Sequence, residues 1–203
     1  LKINGGYQFA EVGISNLADV NNPPFRSYIK EVIRSHAVYV EGKFLSNDAR
    51  TKLNLGGRLN YFAKFDMLIP EPRLSISQRF LNNFRFEVLG ELKSQTTSQV
   101  IDLQNDFLGI EKRRWVLANN DDIPIIKSKQ ISTGIHFNKN SFLISAEAYI
   151  KKVDGITTKS QGFQNQYQFT NSIGSYEIKG IDILLNKAFS DVFHSWISYS
   201  YST

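Results

Sequence analysis

Charged side chains set at alternate positions of neighbouring extended segments are the residues of this chain best suited to chemistry. Arg58, Arg73, Arg79 and Arg85, with Glu41, Glu87, Glu91 and Glu147, fall on the polar side of such segments. Side chains two residues apart on a strand share a face, so these eight would form one charged wall. That wall could guide an anionic substrate or hold a polar body by charge-assisted hydrogen bonds. The plainer reading is that the charges pair with each other. Arg113, Arg114, Trp115, Phe163, Tyr167 and Phe169 lie in connecting segments. Guanidinium and aromatic groups on loops suit ligand capture, although they could equally only pack the loops.

The usual marks of catalysis are missing. His36, His136 and His194 share no ligand spacing, so no metal site is expected. Asp121-Asp122 beside Asn119-Asn120 could offer oxygens to Ca²⁺ but lacks the binding-loop signature and reads as a polar turn. The strand serines have no G-x-S-x-G elbow and no evident histidine partner, and no glycine-rich phosphate loop is present. With no cysteine, thiol chemistry and disulfides are excluded. The net charge of +5 is scattered; its one local run, Glu111-Lys112-Arg113-Arg114, reads as a solvated loop. Nucleic acid is therefore not an expected partner. Neither an enzyme nor a cofactor is expected.

The elements that must position these residues are strands. In Ser141–Lys152, Phe142, Ile144, Ala146, Ala148 and Ile150 alternate with Ser145, Glu147, Tyr149 and Lys151. That period belongs to a strand with two unlike faces. Nine such segments occur: about 7–16, 36–45, 51–62, 73–80, 84–93, 130–137, 141–152, 176–188 and 196–203. No run approaches the ~20 apolar residues of a transmembrane helix. Connections near 46–50, 81–83, 138–140 and 189–193 are short; those near 17–34, 63–71, 94–127 and 153–173 are longer. In a meander every second connection lies at the same end, so the long loops share one end. Outer-membrane barrels have this asymmetry, with short periplasmic turns and long external loops. The expected fold is all-β, an antiparallel up-and-down meander of about nine strands forming part of a large transmembrane β-barrel. Single-chain bacterial barrels have an even strand number. Nine is odd, and Ser195–Thr203 still alternates at the last residue. We therefore read residues 1–203 as an internal fragment, with further strands elsewhere.

Several segments resemble one family. Leu55-Gly56-Gly57-Arg58-Leu59-Asn60-Tyr61 followed by Glu71-Pro72-Arg73-Leu74-Ser75-Ile76 is similar to a "G-x-R-x-x-Y" strand followed by a "P-R-x-S" strand. Ala148-Tyr149-Ile150-Lys151-Lys152-Val153-Asp154-Gly155-Ile156 resembles "A-Y-Y-K-x-x-x-G-L". Lys179-Gly180-Ile181-Asp182 resembles a "G-x-E" strand with Asp for Glu, and Trp196–Ser202 the strand after it. Order and spacing together resemble the barrel of TonB-dependent outer-membrane receptors, most nearly those of Bacteroidetes-type bacteria. The resemblance implies a plugged barrel of roughly 22 strands in a Gram-negative outer membrane. It implies active uptake of a siderophore, vitamin B12 or an oligosaccharide. Implied partners are membrane lipid, the receptor's own plug, the TonB complex and the small ligand. No plug, TonB box or closing strand is recognisable here. The rival readings are a soluble all-β binding or adhesion module, a porin-like channel, and an outer-membrane lipase. They differ in whether Val38, Leu55, Val88, Ile135, Ile144 and Ile183 face lipid or a packed core, and in whether a serine meets a histidine.

Overall fold

The computed structural model describes residues 1–21, 24–102, 112–119, 121–157, 173–190 and 192–203. The strands are β1 (Lys2–Asn21), β2 (Pro24–Leu45), β3 (Thr51–Phe62), β4 (Met67–Phe80), β5 (Phe84–Gln95), β6 (Thr97–Asp102), β7 (Lys112–Leu117), β8 (Ile126–Lys139), β9 (Phe142–Thr157), β10 (Ile173–Ala188) and β11 (His194–Ser202). Nine form one antiparallel sheet in the order β1-β2-β3-β4-β5-β8-β9-β10-β11; β6 and β7 pair separately as a hairpin. The nine-stranded meander matches the expectation from alternation. The sheet is open: β1 and β11 are its two edges.

Register carries the alternation from strand to strand, since residues directly opposite share a face. Phe86, Ile135, Ala146, Ile183 and Tyr199 form one continuous outer row. Phe84, Phe137, Ile144, Leu185 and Ile197 form the next. Val38 is 54% exposed, Leu55 60% and Ile135 45%. Among the described residues no second sheet covers this face. An apolar face left open in this way is suited to lipid, and it removes the two-sheet sandwich.

Some boundaries differ from those expected. Residues 17–21 and 24–34 are strand, not loop: β1 and β2 stay paired from Lys2↔Lys43 to Asn21↔Pro24. Because β3 pairs β2 only over Ser35–Leu45, Pro24–Arg34 and its β1 partners rise above the sheet as a two-stranded ribbon. At ~3.3 Å per residue it reaches roughly 35 Å. The expected loop at 63–71 shrinks to 63–66. Pro70 and Pro72 sit inside β4, opposite Leu59 and Gly57 of β3. Proline has no N–H to give, and the β4–β5 ladder stops at Arg73↔Glu91, just short of both. There Glu71 supplies the missing link: its Oε1 accepts from Ser94 N at 2.8 Å and Ser94 Oγ at 2.5 Å. The gap from 94 to 127 contains the β6–β7 hairpin. The extra length at that end thus takes the form of a ribbon and a hairpin as well as loops, still opposite the short turns.

Turn chemistry is local. Asn140 and Ser141 both take positive φ, 50° and 59°, as a two-residue type I′ hairpin requires; the turn is therefore 140–141, not 138–140. At 46–50, Ser46 Oγ donates to Asp48 Oδ1 at 2.5 Å, and Thr51 N donates to Ser46 Oγ at 2.9 Å. The Ser46 hydroxyl, then the Arg50 backbone N–H, holds the Asp48 carboxyl below its ordinary pKa.

Candidate functional site

The concave inner face carries the charges. Arg58, Arg73, Glu41, Glu91 and Glu147 line one recess of about 630 Å³, together with Gln8, Tyr39, Glu71 and Gln130. Arg58 Nε donates to Asn60 Oδ1 at 2.7 Å, and its Nη1 to Gln8 Oε1 at 2.6 Å. Arg73 lies 4.0 Å from Glu71, and Lys93 2.8 Å from Glu91. The recess is thus lined by both charges, with donors and acceptors exposed to whatever occupies it. Tyr39 lies flat along it, because Gly6 opposite has no side chain; a Cβ there would sit 2.7 Å from the Tyr39 hydroxyl.

Arg79 and Arg85 stand apart from this group. They face each other directly across β4 and β5 and line a smaller hollow of about 180 Å³ near the short turns, with Arg50, Lys52 and Glu87. Arg85 Nε is 3.1 Å from Glu87 Oε1. Glu87 Oε2 is 3.1 Å from His136 Nε2, and His136 Nδ1 is 2.8 Å from Ser145 Oγ. The eight charges expected on one wall therefore do share it, divided between an upper recess and a lower basic hollow.

The Ser145–His136–Glu87 chain is a contact that sequence reading missed. Ser145 and His136 lie directly opposite across the 140–141 turn, so hairpin register was the signal that could have found them. It is also the serine–histidine meeting that bears on a lipase. Acyl transfer needs free donors aimed at a developing oxyanion. Ser145 lies on β9, paired on both sides by His136 of β8 and Leu184 of β10, so the ladder uses the local backbone N–H groups. Glu87 is shared with Arg85. The arrangement ties β5, β8 and β9 together and lacks the donor geometry of a hydrolase.

At the long-loop end the inner face turns apolar. Ile33, Phe62, Ile69, Leu117, Ala118 and Ile125 form a buried cluster, with Ile14 and Phe65 packed against it. Leu117 ends β7, so this cluster fastens the β6–β7 hairpin to the wall. Ala118 N donates to Thr96 O at 2.8 Å. Beyond it, Asn119 Oδ1 accepts from the N–H groups of Asp121, Asp122 and Ile123, each at 3.0 Å. The Asn119 side chain therefore caps the backbone of Asp121, Asp122 and Ile123, and among the described residues no cluster of three metal-ligating side chains occurs.

The loop candidates do not gather around either hollow. Arg113 lies in β7 opposite Ile101, and Arg114 opposite Val100; Arg114 and Trp115 are exposed. Phe163, Tyr167 and Phe169 lie outside the described residues. His36 faces outward beside Tyr7, Phe9 and Tyr61, and its Nδ1 is 2.6 Å from the Tyr7 hydroxyl. Towards the short turns, on the outer face, Phe80 stacks on Phe84, and Phe137 packs against Phe84 at a tilt. Two aromatic groups bracketing an apolar surface match the girdles of a membrane barrel.

Comparison with known proteins agrees with this geometry. The crystal structure of the siderophore receptor PirA from Acinetobacter baumannii superposes with a TM-score of 0.63 at 15% identity, over 98% of this chain and 33% of that one. This chain spans about a third of that receptor's length, and the likeness shows the fold. No curated protein matches the chain. A family model described as TonB dependent receptor-like, beta-barrel matches residues 2–203. A two-faced meander with its apolar side open, and a family match from end to end, make this chain a member of the TonB-dependent receptor β-barrel family.

Proposed function

We propose that residues 1–203 are one continuous stretch of barrel wall in an outer-membrane, TonB-dependent transporter of a Gram-negative bacterium. The observation that carries this reading is the contrast between the two faces of a single sheet. Its outer rows are apolar and open, while its inner face holds a charged, hydrogen-bonding recess. Lipid would cover the first, and the receptor's own plug would lie against the second. Arg58, Arg73, Glu91 and Glu147 would meet the plug or a passing ligand at the recess; Arg79, Arg85 and Glu87 would do so nearer the periplasm. Arg113, Arg114 and Trp115 of the hairpin strand β7, and Phe163 and Tyr167 beyond it, would make the first contacts with ligand outside the cell. TonB would act through sequence outside this stretch. The cargo would be a small molecule of the class that needs energised uptake, namely a siderophore, cobalamin or an oligosaccharide. The likeness to PirA, a siderophore receptor, favours the first.

The test is uptake by cells carrying or lacking the full-length gene, with and without TonB, supplied with ferric siderophore, cobalamin or oligosaccharide as the limiting nutrient. Loss of growth on one nutrient in both deletions is expected. Uptake that persists without TonB would replace this reading with a porin-like channel.

A further inference from the structure

We propose that the lower hollow, on the inner face of β3–β5, is an oxyanion site that takes one phosphate or carboxylate group. This deepens the reading above by naming the chemistry that Arg79 and Arg85 meet, and it rests on that reading only in placing the hollow on a lumen.

Register builds the hollow. Arg50, Arg79 and Arg85 stand side by side: Arg79 N donates to Arg50 O at 2.8 Å, and Arg79 lies directly opposite Arg85. Neighbouring strands are ~4.8 Å apart, so these three side chains leave the wall within roughly 10 Å of one another. The next row away from the turns reads Lys52, Ser77, Glu87, and the row after it Asn54, Ser75, Leu89. The two serines are short and sit on the middle strand, with longer side chains on either side. That difference in length opens the hollow of about 180 Å³. It is smaller than the ~300–1,000 Å³ of a pocket for a whole small molecule, and it suits a single group. Among the described residues neither serine hydroxyl makes a hydrogen bond, so both are free to donate.

The charge is an independent observation. Arg50, Lys52, Arg79 and Arg85 border the hollow, and Glu87 is the one acid among the residues lining it. Glu87 is divided: one oxygen lies 3.1 Å from Arg85 Nε, the other 3.1 Å from His136 Nε2. The first of these contacts is out of line for a hydrogen bond, and Arg85 Nε donates none. Arg50 lies 3.9 Å from Asp48, on the turn outside the hollow. Among the described residues no carboxylate comes within ion-pair distance of Lys52 or Arg79. Like charges directly opposite destabilise a sheet, so Arg79 and Arg85 call for an anion between them. A polar lumen does not by itself require such an excess. In the upper recess Glu41, Glu71, Glu91 and Glu147 outnumber Arg58 and Arg73, and both arginines have partners there. The wall thus changes sign towards the short turns. A phosphate or carboxylate in the lower hollow would accept from the planar arginine forks and from Ser77, offsetting the repulsion that Glu87 leaves.

The experiment is thermal unfolding of the full-length receptor in detergent, read by heat-dependent gel mobility, with inorganic phosphate replacing chloride at constant ionic strength. Wild type is compared with the single variants R79Q and R85Q. If the group is a free anion, phosphate raises the wild-type midpoint, and each variant needs about tenfold more phosphate for the same rise. If it is a carboxylate of the receptor's own chain, phosphate leaves the wild type unchanged. Each variant then melts several degrees lower, and the gap closes in about 1 M NaCl. Either result supports the site, and the two distinguish its sources. A phosphate response that both variants keep in full would overturn the site. So would a wild type indifferent to phosphate whose variants melt no lower, or melt lower by a gap that persists in high salt. A receptor that gives either supporting result but takes up no nutrient would overturn the transport reading alone.

Discussion

Replacing Ile183 with arginine puts the lipid-facing assignment under the greatest strain. Ile183 lies on β10 midway between Lys179 and Lys187, the outward-facing charges that bracket Ile181, Ile183 and Leu185. Eight residues at ~3.4 Å each, tilted by ~40°, span roughly 20 Å of membrane normal, close to the ~25 Å apolar band of an outer-membrane barrel. Position 183 is therefore near the midplane, where an outward arginine costs ~2–4 kcal/mol. The next residue, Leu184, faces the inner wall opposite Ser145 and Ser198, and arginine there should cost no more than about 0.5 kcal/mol. A charge would also damage a buried soluble core, so a second substitution is needed. Ile183→Phe adds apolar volume; against fluid lipid it should change stability by less than about 0.5 kcal/mol, whereas an overpacked core would lose ~1–3 kcal/mol. The assay is urea unfolding of the full-length receptor in phospholipid vesicles. Arginine tolerated at 183, or phenylalanine as damaging as arginine, would refute the assignment of this face to lipid.

Two further outcomes follow from the inner wall. Tyr149 covers Gly180 so closely that a Cβ on residue 180 would sit 2.5 Å from its hydroxyl and 2.7 Å from its Cε1; Gly180→Ala should push the ring into the lumen and cost on the order of 1 kcal/mol. In a double-mutant cycle with Tyr149→Ala the two losses should fall short of additive. Leu117→Ala removes a side chain that is 1% exposed in the cluster with Ile33 and Phe62. Its ~2–5 kcal/mol loss should appear as faster hydrogen exchange in Thr97–Val100, with exchange in β8 and β9 unchanged, because the cluster fastens a hairpin and not the sheet.

The period-two pattern is a local property, set by the geometry of an extended backbone, and it was readable wherever a strand had one polar and one apolar side. Ser141–Lys152 shows it: the alternation read along the segment is the one β9 presents in the sheet, with Ile144 outward and Glu147 inward. Turn type was nearly as legible, because Asn140 tolerates positive φ; only the turn's position moved. Pairing partners far apart in sequence were less legible. Pro70 and Pro72 argued for a loop because a proline cannot donate. What kept them in β4 was the early end of the β5 ladder and the carboxylate of Glu71, neither of which is a local property. The sequence over 17–34 carries turn-forming residues, yet β1 and β2 remain paired as far as Asn21 and Pro24, their base held by Ile14 and Ile33 against the β6–β7 hairpin.

For the candidate site, the sequence by itself determined which side chains share a face: Arg58, Arg73, Glu91 and Glu147 follow from alternation alone. Only the tertiary structure decided which of them meet. Register divided the arginines, leaving Arg79 opposite Arg85 and placing Arg58 and Arg73 in the recess with Glu147, four strands away from β3 in the sheet. It also brought Glu87, His136 and Ser145 into contact. Alternation constrains the direction of a side chain, whereas the distance between two side chains depends on how several strands are paired and how their sheet curves.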